Sequence, residues 1–148
     1  MKYNNNKKNI LKIIFILTLV FIWGQSALSR SISTVESRFL TFLLLGNGDS
    51  EGLIRKCAHF TEYSILGIEL AAIVSGFIKK HLKTASAKWQ YILLASLNCG
   101  LIIAFIDETI QYLSKREPKV ADIWIDLAGV CTGALINNVY CRIRHRDP

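Results

Sequence analysis

Charge is scarce in this 148-residue chain: charged residues make up 20% of it and hydrophobic residues 51%. Mean hydropathy is positive. The four cysteines, Cys57, Cys99, Cys131 and Cys141, are scattered and include no C-x-x-C pair, which argues against a disulfide or zinc framework. The chain holds no G-x-S-x-G, no P-loop and no H-E-x-x-H, so the obvious nucleophile, nucleotide and zinc-protease motifs are missing. No internal repeat or low-complexity domain is evident. His81 and His145 lie in basic segments and are poor candidates for ligands. No resident cofactor or metal is expected from motif spacing.

The charges that do occur lie between apolar stretches. Those stretches run from about Ile10 to Leu28, Cys57 to Ile78, Tyr91 to Leu113 and Val120 to Cys141. A helix needs roughly 20 residues to cross ~30 Å of hydrocarbon, and each stretch is about that long. A soluble domain of this size has too little interior to surround four such helices. The expected fold is therefore all-α: a polytopic membrane protein, one domain over residues 1–148, built as a four-helix transmembrane bundle.

A net charge of +7 could suggest nucleic acid, but its placement points to a bilayer. Lys2, Lys7, Lys8 and Lys12 precede the first span. Lys79, Lys80, Lys83 and Lys88 fill the second loop, and Arg142, Arg144 and Arg146 form the tail. With four spans these segments share one side, and the positive-inside bias places them, with both termini, in the cytoplasm. Trp23, Tyr63, Tyr112 and Trp124 fall near outer span ends, and Trp89, Tyr91 and Tyr140 near inner ones, as interfacial belts do. "ALS" at Ala27–Ser29 resembles a signal cleavage site, but the apolar core Ile10–Trp23 is near the upper length for a signal peptide, so the span is expected to be retained.

Between the first two spans, Ser33 and Glu36 have capping-box spacing and Gly46 can end a helix. Val35, Phe39, Phe42 and Leu43 share one face of it. Three turns are too short to span, so a short interfacial helix on the outer surface is expected.

Polar side chains inside the spans are costly and tend to face the bundle interior, a partner or a wet cavity. Arg55, His59 and Glu62 share one face of the second span. Gln111 lies one turn from both Asp107 and Glu108 at the end of the third. Asp122 and Asp126 are one turn apart at the start of the fourth, and Lys115 and Arg116 stand in the tight loop before it. In the four-span topology this set lies within about two turns, ~10 Å, of the outer boundary. Either it is a polar network that fixes helix register, or it lines an outward-facing pocket. Deeper in the bilayer, Glu69 and Asn98 are expected to pair. Gly129 and Gly133 make a G-x-x-x-G, which permits close helix approach.

The segments "IRKCAHFTEYSILG" and "DETIQ…R…DIWIDLAGVCTG", with "FIWGQS" and "STVES" before them, resemble the VanZ-like family of small bacterial membrane proteins. The resemblance runs from about Phe21 to Ile136. It implies that Lys56, His59, Tyr63, Asp107, Glu108, Gln111, Arg116 and Asp122 occupy the family's characteristic positions, with Asp126 and Gly129 among the later ones. Many members carry Pro-Gly before the loop arginine. "YLSKRE" lacks it and is one residue shorter, although the distance from Arg116 to Asp122 still fits. The resemblance also implies an association with resistance to the glycopeptide teicoplanin.

Two kinds of function fit these residues. A binding protein of the cell envelope would use Arg55, Lys56 and Arg116 to grip the phosphate or carboxylate of a lipid headgroup, a peptidoglycan precursor or a glycopeptide. A membrane-embedded enzyme on a lipid-linked substrate would use His59 as general acid/base, oriented by Glu62 or Asp107, with Arg116 on developing charge. His59 with Asp107, Glu108 and Asp122 could alternatively hold a divalent cation.

Overall fold

The computed structural model describes residues 2–28, 51–82, 89–114 and 119–144. Four helices account for nearly all of them: α1 (Lys2–Ala27), α2 (Glu51–Leu82), α3 (Trp89–Leu113) and α4 (Val120–Ile143). Each contains a stretch long and apolar enough to cross a membrane, at Lys8–Ala27, Gly52–Ile78, Trp89–Leu113 and Val120–Ile143. The interfacial helix expected from Ser33 onward, and the loop residues Lys115 and Arg116, lie outside the described residues.

The contacts fix how the helices run. On α2 and α4, Arg55 faces Asp122, His59 faces Asp126 and Phe60 faces Gly129, so numbers rise together and the two helices are parallel. Lys119 at the start of α4 meets Glu108 near the end of α3, and Gly100 meets Val130, so α3 is antiparallel to α4. The Ser114 hydroxyl donates to the Ala27 carbonyl at 3.3 Å, which brings the ends of α1 and α3 together. One end of the bundle therefore gathers the C-termini of α1 and α3 and the N-termini of α2 and α4.

Close packing of α2 on α4 depends on absent side chains. A Cβ at Gly129 would lie 2.7 Å from the Phe60 carbonyl oxygen and 2.9 Å from the Tyr63 Cβ. One at Gly133 would collide with the Ser64 carbonyl oxygen and sit 2.8 Å from the Ile68 nitrogen. These are backbone atoms of a helix and a Cβ fixed directly to it, which cannot step aside without moving α2 as a whole.

Two apolar clusters fill the interior. Ile22, Tyr63, Leu66, Leu70, Ile103, Ala104 and Val130 form the larger, and Ala71, Ile92 and Ala134 the smaller. The outside is apolar as well: Leu17, Val20, Leu94, Ile102, Phe105, Trp124 and Ile136 are all exposed. Large exposed apolar faces on every helix suit lipid rather than water. Polar side chains on these faces bond within their own helix, as a hydrocarbon surrounding requires. Thr61, Ser64, Thr109 and Thr132 each donate to the carbonyl four residues back.

Two sequence expectations are corrected here. Tyr63 is not part of an interfacial belt, since it is fully buried in the larger apolar cluster. Glu69 does not pair with Asn98. Its carboxylate accepts a hydrogen bond from the Thr18 hydroxyl of α1 at 2.9 Å, while Asn98 is exposed and its amide donates to the Leu94 carbonyl at 2.8 Å. The rotation of α3 turns Asn98 outward, and a side chain that donates to its own helix needs no partner across the bundle.

Candidate functional site

At the end where α2 and α4 begin and α3 finishes, the interior turns polar. Asp107 and Asp126 are fully buried, and Glu108, Gln111 and Asp122 are buried almost as deeply. Buried carboxylates at one level on two helices are costly unless paired, bonded or neutralised by something bound.

The α3 side is bonded. The Gln111 amide donates to Asp107 Oδ2 at 3.0 Å and to Glu108 Oε1 at 3.1 Å. One amide group thus ties the two acids, because residues three and four apart stack on one helical face. The second oxygen of Glu108 accepts the Lys119 backbone N–H at 3.1 Å. Lys119 is the extended residue before α4, with no side chain capping that helix, so Glu108 fastens the start of α4 to the end of α3. Asp122 in the first turn of α4 sits where the helix dipole favours negative charge.

The α2–α4 side is more loosely paired. Arg55 approaches Asp122 at 4.0 Å, and the Arg55 side chain is 35% exposed. His59 Nδ1 stands 3.5 Å from Asp126 Oδ1. That distance is longer than the 2.7–3.2 Å of an N–H···O hydrogen bond. Neither oxygen of Asp126 has a hydrogen-bond partner among the described residues, and neither does the Tyr63 hydroxyl. The Tyr63 ring lies parallel to His59, with centroids 6.5 Å apart.

His59, Asp107 and Asp126 come from three helices, and each offers a ligand atom within 4.8 Å of the other two. Glu62 is half-buried one turn further along α2, and Lys56 is exposed beside Arg55. A narrow cleft with no room for a water molecule, lined by Arg55, Lys56, His59, Asp122 and Ile125, lies on the α2–α4 side. A separate groove of about 290 Å³ runs along the α3–α4 seam past Phe105, Glu108, Thr109, Tyr112, Lys119, Val120 and Ile123.

The sequence reading gave Glu62 or Asp107 as the acid that orients His59 and did not single out Asp126, whose Oδ1 stands 3.5 Å from His59 Nδ1. The signal was present in the glycines. Placing Gly129 against Phe60 and Gly133 against Ser64 sets a parallel register that puts residue 126 beside residue 59. Ile125 in the cleft wall and the Lys119 backbone N–H were also missed, and neither carries a sequence signal of its own.

No curated protein and no solved structure matches the chain. The model of the VanZ/LLP1 family matches residues 2–140, a stretch that takes in the polar ends of α2, α3 and α4 together with the glycines that set their register. The chain is a multi-pass membrane protein that belongs to the VanZ/LLP1 family.

Proposed function

We propose that this protein serves the bacterial cell envelope by holding an anionic, lipid-linked ligand at the polar end of its bundle, on the outer side of the membrane. The observation that carries the reading is the grouping of Arg55 and Lys56 with His59 and Asp122 at this end of the bundle. A guanidinium has five N–H donors, and among the described residues a single 4.0 Å approach to Asp122 leaves most of them for a ligand. Its planar fork suits phosphate or carboxylate, whether on a lipid headgroup, a peptidoglycan precursor or a glycopeptide. The charged end of such a molecule would lie against Arg55 and the exposed Lys56 at the mouth of this cleft, with the rest in lipid beside the exposed apolar faces. The outward orientation rests on the lysines and arginines assigned to the cytoplasmic side.

Native mass spectrometry of the full chain, titrated with phosphatidylglycerol and with a polyprenyl phosphate, tests this reading. Retention of a phosphate-bearing lipid is expected, weakened ~10–100-fold in Arg55→Gln/Lys56→Gln, since charge-assisted hydrogen bonds contribute about 1.5–3 kcal/mol. Equal retention by the wild type and the double variant would contradict it. Linkage to glycopeptide resistance is a further step, checked by teicoplanin susceptibility of a host expressing the wild type or that variant.

A second reading, an enzyme on a lipid-linked substrate, is favoured by one feature: His59 lines the cleft and faces the Asp126 carboxylate at 3.5 Å. A carboxylate behind an imidazole fits a general acid/base, with Arg55 placed for developing negative charge. Headgroup release that depends on His59 would establish it.

A further inference from the structure

We infer that His59, Asp107 and Asp126 form a site for a divalent cation of mixed nitrogen–oxygen preference, such as Zn²⁺ or Mn²⁺. The inference does not require the anionic ligand proposed above. It begins with Asp126. That residue is fully buried, and both of its carboxylate oxygens lack a hydrogen-bond partner among the described residues. A desolvated carboxylate with two idle oxygens is among the costlier things a helix bundle can hold. Its closest cationic candidate, His59, is placed with Nδ1 at 3.5 Å.

That separation discriminates between two relationships. A hydrogen-bonded imidazolium–carboxylate pair brings N and O to 2.7–2.9 Å. Two ligands on one tetrahedral ion, with bonds of ~2.1 Å, stand ~3.4 Å apart. The observed 3.5 Å is longer than the first and close to the second. Asp107 completes the set from α3, with all three donor atoms within 4.8 Å of one another.

Charge points the same way. Protonating His59 offsets one negative charge, but two carboxylates are fully buried at this level. A divalent cation with a neutral imidazole offsets both, so that the ion and its three ligands are neutral together, the arrangement a low-dielectric interior favours. The supporting contacts are those a ligand set needs. Gln111 holds Asp107 through Oδ2 at 3.0 Å, and the Tyr63 ring stacks beside His59. Hydrogen-bonded and packed neighbours of this kind orient metal ligands. One imidazole and two carboxylates suit Zn²⁺ and Mn²⁺ better than the all-oxygen sites of Ca²⁺. Three protein ligands also leave a position open for water or an anionic group.

The test uses the full chain, purified in detergent, stripped with a chelator and titrated separately with Zn²⁺ and Mn²⁺ by calorimetry. One saturable site per chain is expected. Asp126→Asn should weaken it by at least ~100-fold, beyond the 10–100-fold typical of losing a supporting contact. Glu69→Gln, whose carboxylate serves Thr18 elsewhere, should bind as the wild type does. So should His81→Asn/His145→Asn, which removes the histidines of the basic segments. Co²⁺ loaded into the wild type should show the intense visible bands of a four- or five-coordinate site, a readout that does not depend on any variant folding. Absence of saturable binding of both ions by folded wild type would overturn the inference. So would binding that survives Asp126→Asn, or binding lost in His81→Asn/His145→Asn, or Co²⁺ that keeps the pale spectrum of the hydrated ion.

Discussion

Gly133→Ala adds a single methyl group where α4 crosses α2. Its carbon would collide with the Ser64 carbonyl oxygen and lie 2.8 Å from the Ile68 nitrogen and 2.9 Å from the Ser64 carbonyl carbon. All three are backbone atoms, so relief comes only from moving the two helices apart. Overpacking of this kind costs about 1–3 kcal/mol. For a chain of this length that corresponds to a fall of roughly 3–10 °C in unfolding temperature. Gly76→Ala is the matched control, because nothing lies within 4 Å of its added carbon. There the helix gains propensity, worth up to ~1 kcal/mol, and the unfolding temperature should hold or rise. Both variants would be measured in one detergent by thermal unfolding. Opposite signs are expected. A Gly133→Ala protein as stable as Gly76→Ala would refute the close α2–α4 approach, and with it the register that sets Asp126 beside His59.

Further outcomes are expected elsewhere in the bundle. Gln111→Leu removes the donor that joins Asp107 to Glu108 and should cost about 1–3 kcal/mol of stability, read by denaturant or thermal unfolding. Thr18→Val and Glu69→Met, combined in a double-mutant cycle, should show a coupling of about 0.5–1.5 kcal/mol, and zero coupling would contradict the α1–α2 hydrogen bond. Asn98→Ala should stay within about 0.5 kcal/mol of the wild type, because that side chain is exposed and bonds its own helix. A reporter fused after Asn47 should read as extracytoplasmic, and a cytoplasmic signal there would reverse the outward orientation proposed for the polar end.

Hydropathy and length were enough to place the spans, because lipid forces every backbone group into an internal bond and leaves helices as the economical solution. The helices extend further than the apolar stretches: α1 begins at Lys2 and α2 at Glu51, taking in charged turns that hydropathy cannot separate from loop. Contacts within one helix were legible too. Gln111 bonds Asp107 and Glu108 because three- and four-residue spacings place them on one face. Contacts between helices were not, because they depend on rotation about each axis. Depth alone suggested Glu69 beside Asn98, yet α1 supplies Thr18 and α3 turns Asn98 to the outside. Tyr63 looked like an interfacial aromatic from its position near a span end, but its face of α2 points inward at Leu66 and Val130. The pairing of His59 with Asp126 needs the register that Gly129 and Gly133 impose, information that sits a turn or two away from the site.

The unfolding temperature of Asp126→Asn, measured alongside its ligand and cation binding, addresses most directly whether the buried acids do work or merely fasten helices. Asp126 is fully buried with neither oxygen hydrogen-bonded among the described residues, so removing its charge relieves a desolvation cost. A working site held at the expense of stability should therefore yield a variant at least as stable as the metal-stripped wild type and unable to bind. An Asp126→Asn protein that is several degrees less stable and binds as well as the wild type would show a register-fixing network instead.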